Sequence, residues 1–153
     1  MYVARNHAFE FAERTRVNLE FIEEARLEGA SVHVVTQLAN SLLGLIVFVW
    51  EKTVVDHLKE LRMDKLAKEG WPRIEVTKDT HETLYDFVRH LRNAAAHGRI
   101  TFSSDSADPR QVTMQIDDCK PHEKTPYWSA RMKASDLRQL CFKFIALVER
   151  TTG

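Results

Sequence analysis

Between residues 86 and 99 the chain gathers Asp86, Arg89, His90, Arg92, Asn93, His97 and Arg99 into one stretch. Their chemistry points to phosphate. An arginine fork donates two parallel hydrogen bonds to two phosphate oxygens. A histidine exchanges protons near neutral pH and so serves as general acid or base. Other routes to catalysis are missing from the sequence. It has no glycine-rich phosphate loop, no His-Glu-x-x-His or paired Cys-x-x-Cys, and no Gly-x-Ser-x-Gly elbow. The lack of clustered Asp, Glu and His at ligand spacing argues against a metal-dependent hydrolase.

Spacing constrains how these groups can meet. Asn93 and His97 are four residues apart, about 40° around a helix, and share a face. Arg92 and His97 are five apart, about 140°, and do not. One helix therefore presents the pair poorly to one small ligand. Two copies packed about a two-fold axis would set each Arg beside the other chain's His. The run Ala94-Ala95-Ala96 has no bulky side chain to keep backbones apart there.

The elements that must carry this stretch follow from periodicity. Residues 84–95 repeat Leu84, Phe87, Val88, Leu91, Ala94 and Ala95 at helical spacing. Asp79 and Glu82 have the form of a capping box at its start, and Gly98 is the expected stop. Residues 4–27 read as a long amphipathic helix ended by Gly29. A second, capped by Ser31 and running to about residue 53, becomes apolar nearly all round from Leu42 and is expected to be the most buried. Asn40 interrupts its apolar surface and is expected to be buried and satisfied, and Gly44 would admit a neighbouring helix. Residues 54–68 add a shorter helix, stopped at Gly70, and a connector runs from Trp71 to Val76. Ile100 and Phe102, then Val112, Met114 and Ile116, alternate like a hairpin around the turn-rich 103–109. Residues 118–128 read as irregular, and Ser135 caps a final helix. The expectation is a single all-α domain over residues 1–153, a bundle of four to five helices with a small β-hairpin inserted before the last.

Composition agrees with a globular chain: 44% hydrophobic and 29% charged, with 22 basic and 22 acidic residues in balance. With no global field, an anion site must be local. Cys119 and Cys141 form neither a framework nor a ligand pattern, which favours a reducing compartment. The polar start from Arg5 reads as lacking a secretory leader, and the apolar run 42–50 is too short to span a bilayer, so a cytoplasmic protein free of membrane is expected. The other histidines, His90 included, are scattered and read as structural. Trp50, Trp71 and Trp128 read as packing residues. Lys120, Lys124, Arg131 and Lys133 form a loose basic set that the sequence cannot place.

The string 91–100, Leu-Arg-Asn-Ala-Ala-Ala-His-Gly-Arg-Ile, resembles the signature of HEPN domains, an Arg followed after four to six residues by a His near a helix end. Asn93 matches the polar residue common after that Arg. Residues 40–45 and the later hairpin-plus-helix layout resemble a plasmid- and prophage-type subfamily, over residues 30 to 150 in all. The resemblance implies a HEPN-type helical bundle acting as a homodimer, and an endoribonuclease that needs neither metal nor cofactor. His97 would move protons at the sugar oxygens, Arg92 would stabilise phosphoryl charge, and Asn93 would orient the phosphate or the imidazole. Arg89 and Arg99 would be weaker RNA contacts. Members of the family are often toxins or defence effectors, some paired with a nucleotidyltransferase-like antitoxin. Others are inactive modules that bind RNA, a nucleotide or a protein partner.

Overall fold

A computed structural model of the chain describes residues 7–48, 50–77 and 82–152. Among these, six α-helices and four strands occur, in the order α1 (His7–Leu27), α2 (Val34–Phe48), α3 (Lys52–Leu58), α4 (Met63–Lys68), β1 (Glu75–Thr77), α5 (Leu84–Ala96), β2 (Ile100–Phe102), β3 (Thr113–Asp118), β4 (Trp128–Lys133) and α6 (Ala134–Thr152). The four strands form one antiparallel sheet in the order β1-β4-β3-β2. The fold is therefore mixed α/β, and the all-α bundle expected from the sequence is corrected.

The correction has a physical source. The expected hairpin is real: Ile100 faces Ile116 and Phe102 faces Met114. But β4 repeats the same alternation, with Trp128, Ala130 and Met132 buried between exposed or half-buried neighbours. It pairs with β3 from Thr113↔Lys133 to Asp118↔Trp128. The supposed connector supplies β1, which closes the far edge with Val76 opposite Ala130. Short strands at sheet edges carry little periodic signal, and pairing between strands far apart in the chain is not a local property.

The helical side is built by α1, α2 and α6 packed on one another, with α5 lying between α2 and β3. Leu19, Leu38, Leu42, Leu45, Ile46, Phe144 and Ile145 form its centre. The Phe11 ring comes within 3.2 Å of where a Cβ on Gly44 would sit, so this glycine does admit the neighbouring helix.

Several expected boundaries move. His33, not Ser31, supports the start of α2, its Nδ1 accepting from the Thr36 N–H at 3.2 Å. The long second helix ends at Phe48, and α3 starts afresh with the Glu51 carboxylate accepting from Thr53 N. The stretch after it divides into α3 and α4, and Gly70 ends α4 in the left-handed region at φ 88°. Asp79 and the beginning of the expected first helix lie outside the described residues. The capping box of α5 is Thr83 with Asp86, and Glu82 turns inward instead. Ser135 lies inside the first turn of α6, which begins at Ala134. Asn40 is exposed, and Val47 is 50% exposed, so α2 is not buried all round. Among the described residues no single helix is long and apolar enough to cross a membrane.

Candidate functional site

The α5 helix owes its precision to its ends. The Thr83–Asp86 box fixes its start. At the other end Gly98 adopts φ 65°, which lets its N–H reach Ala95 O and the Arg99 N–H reach Ala94 O at 2.8 Å. Left-handed backbone there suits glycine. The Arg99 carbonyl then accepts from Asp117 N, so the helix end is tied to β3.

Three expected site residues lie on one groove. Arg89, Arg92 and Asn93 of α5 line it together with Ala95, Ala96 and, from α2, Leu43, Ile46 and Val47, around a volume of about 400 Å³. His97 does not line it. It follows α5 as its C-cap, exposed, with no side-chain hydrogen bond or ion pair among the described residues. The Arg92 guanidinium lies over the Trp50 ring, 4.3 Å from its centroid, and Trp50 in turn stacks on Tyr85 at 5.8 Å. Arg92 and His97 of one chain form no hydrogen bond with each other among the described residues. The Arg99 side chain is half-exposed and has no carboxylate partner among the described residues.

A larger cleft of about 830 Å³ adjoins this groove and shares Leu43 and Ala95 with it, running past Asn40 and Gly98 to β2 and Met114. Its lining is mostly apolar, and the histidine in it is committed, His33 bonding Thr36 and the Asp105 carbonyl. Two arginines, Arg89 and Arg92, line the smaller groove, which is therefore the better candidate for an anionic substrate.

Beneath α5 lies a polar hub that sequence reasoning did not assign. Asp118, only 2% exposed at the end of β3, accepts from His90 Nδ1 at 2.7 Å, the Tyr127 hydroxyl at 2.9 Å and Asn93 Nδ2 at 3.4 Å. The His90 ring stacks on Trp128 with centroids 4.3 Å apart and planes 11° from parallel. Trp128 Nε1 donates to Glu82 Oε1 at 2.8 Å. His90 is therefore structural, as expected, and buried. A signal was present: its place beside Phe87, Leu91 and Ala94 is on the apolar stripe, and Asp118 follows Val112, Met114 and Ile116 in the core-facing alternation. Polar groups at core positions require partners, and here they are each other's.

A family profile, HEPN pEK499 p136, matches residues 1–152. The chain belongs to the HEPN family. No curated protein and no solved structure matches it. In this HEPN chain the Arg92 to His97 segment occupies the last turn of α5 and its cap. No group of three or more His, Cys, Asp or Glu able to hold a metal ion occurs among the described residues.

The hub has a pH signature. Burial pulls the His90 imidazolium below the usual histidine value; the Asp118 bond opposes this, and Arg89 adds to the lowering. The folded chain thus keeps His90 neutral in a range where the unfolded chain protonates it. The unfolded state then binds more protons, so stability falls as pH drops below about 6.5, the unfolded value. Between about pH 7.5 and pH 5.5, a window that brackets that value, the urea midpoint of the wild type is expected to fall further than that of His90→Gln, compared by circular dichroism. Equal falls would show that His90 is not the group responsible.

Proposed function

We propose that this HEPN protein is a metal-independent endoribonuclease acting as a homodimer. The observation that carries the reading is the exposed, unengaged His97 at the end of the helix whose Arg92 and Asn93 line an open, cation-bearing groove. The separation of Arg92 from His97 within one chain is what a two-fold pair would repair. The half-buried Leu43, the exposed Val47 and the small Ala95 and Ala96 give a second copy a place to approach.

In this mechanism the 2′-OH of RNA attacks the adjacent phosphorus. The 2′-O–P bond forms as the P–O5′ bond breaks, leaving a 2′,3′-cyclic phosphate and a 5′-hydroxyl. The His97 imidazole of one protomer, set beside the other protomer's Arg92, takes the 2′-OH proton, and water supplies the proton that O5′ gains as it leaves. Arg92 stabilises the charge that builds on the non-bridging oxygens, and Asn93, held by Asp118, orients the phosphate. The nucleophile belongs to the substrate, so DNA is not cut. A role as a toxin or defence effector, with or without a nucleotidyltransferase-like antitoxin, is consistent with such an activity in a cytoplasmic protein.

The test is cleavage of an unstructured RNA in excess EDTA, with the deoxy analogue as control, alongside sedimentation analysis. Metal-free cleavage by a dimer supports the reading, and a monomer inert toward RNA overturns it. One observation favours a second reading, an inactive binding module: the Arg92 fork is stacked on Trp50 instead of standing free. That reading predicts a dimer that binds RNA without turnover.

A further inference from the structure

Several arginines of the helical side and its loops are neutralised. Arg16 pairs with Glu149, Arg26 and Arg110 with Asp108, Arg62 with Asp64, and Arg138 with Glu23. Arg89 is exposed and has no carboxylate partner among the described residues, although Asp118 lies buried close beneath it. Asp118 accepts from His90, Tyr127 and Asn93 and forms no ion pair with Arg89, and Glu82 receives the Trp128 indole. The Arg89 guanidinium is left against His90 Nε2 at 3.5 Å and facing the Tyr127 hydroxyl.

A second cation reaches the same phenol from a different part of the chain. Lys120 Nζ lies 5.8 Å from the Tyr127 ring centroid, and Lys120 too has no ion pair among the described residues. It stands on the β3–β4 loop, which is pinned at its base by Tyr127 N to Asp118 O at 3.0 Å and within by Glu123 N to Lys120 O at 3.0 Å. The Arg92 fork points elsewhere, onto Trp50. The exposed Asn93 lies one turn from Arg89 on α5.

We propose that Arg89 and Lys120, held about Tyr127 by Asp118, form a subsite for a second phosphate of a polynucleotide backbone, separate from the Arg92 fork. The inference rests on the RNA reading above for the identity of the polymer. Two cations that form no ion pair among the described residues, on an open surface, fit a phosphodiester that passes along them. Asp118 is a positioning residue: its bonds to His90, Asn93 and Tyr127 fix the foot of the loop against α5.

The test is the salt dependence of binding of a 2′-O-methyl oligoribonucleotide, which lacks the attacking hydroxyl and so binds without turnover, followed by fluorescence anisotropy on the full chain. Arg89→Gln and Lys120→Gln are each expected to reduce the slope of log Kd against log salt by about 0.7, the single-strand value per phosphate contact, and the double variant by about twice that. Arg89→Lys should keep the wild-type slope, since the charge is retained. Arg73→Gln, on the connector before β1, should change nothing. Unchanged slopes in the two glutamine variants, an equal loss in the Arg73 control, or no binding by the wild type would each overturn the subsite. Binding and slopes as expected without cleavage of unmodified RNA would remove the nuclease reading and leave the subsite standing.

Discussion

His97→Ala is expected to abolish RNA cleavage in excess EDTA, by about 10²–10⁴-fold, and to leave the melting temperature almost unchanged. The size follows from removing a proton-transfer group from a reaction that supplies its own nucleophile. The unchanged melting follows from geometry. The His97 side chain is exposed and makes no hydrogen bond or ion pair among the described residues, and exposed substitutions away from such features shift stability by about 0.5 kcal/mol or less. Loss of cleavage through unfolding is thereby separable from loss of chemistry. Arg92→Ala is expected to cost about 10²–10³-fold in kcat, and Arg92→Lys to restore little, because an ammonium supplies neither the bidentate fork nor the planar stack that Trp50 holds. Mixing inactive His97→Ala with inactive Arg92→Ala is a sharper measurement. If the two groups act across a two-fold axis, heterodimers regain one intact site and activity returns. If mixing restores nothing, cooperation between protomers is refuted.

Asp118→Ala has the opposite profile, with a large effect on stability. The substitution strands a buried imidazole N–H on His90 and the Tyr127 hydroxyl, each of which loses its acceptor. Unsatisfied buried donors cost about 1–3 kcal/mol apiece. A loss of about 3 kcal/mol is expected, which for a chain of this size lowers Tm by about 6–12 °C. Asp118→Asn keeps one carbonyl oxygen and should lose less. Asn93→Ala, whose exposed amide makes only a 3.4 Å bond to Asp118, should cost under about 1 kcal/mol. Denaturant midpoints check the order, and an Asp118→Ala protein as stable as the wild type would show that the hub holds nothing together.

The two expectations divide the region under α5 into an outer layer that is cheap to alter and an inner layer that is not. Exposed Arg89, Asn93 and His97 stand on the outside, while Asp118, His90 and Trp128 stand within. Tyr127 lies half-buried between them. Burying Asp118 is tolerable only because His90, Tyr127 and Asn93 all donate to it. The polar hub also links three elements distant in sequence: α5, the end of β3 and the start of β4. A displacement of the β3–β4 loop therefore reaches Asn93 through one carboxylate.

Local physics makes α5 legible from its own residues. Its apolar stripe, the terminal Gly98 and the Arg92, Asn93 and His97 positions are periodic or near-neighbour features, and they carry the HEPN resemblance. The capping box forms four residues later than its pattern suggests, because Thr83–Asp86 and Asp79–Glu82 both satisfy that pattern. Only the inward turn of Glu82 to Trp128 separates them. Asn40 has apolar neighbours in sequence, which argues for burial, yet the exposed side of α2 runs through it to Val47. Which side of an apolar helix faces outward depends on the elements that cover it.

The amino-acid order alone thus settles the helix that bears the candidate site and the family to which the chain belongs, since both are written in spacings of three to five residues. Tertiary structure alone decides the sheet, because β1 and β4 find each other across the whole of α5 and the hairpin, and their pairing energy belongs to contacts no window of sequence contains. It alone decides, too, that Asp118 meets His90, Tyr127 and Asn93, and that Arg89 and Lys120 stand near Tyr127 without ion pairs among the described residues. A charge balanced over the chain says nothing of which carboxylate meets which cation, and that choice is made by packing.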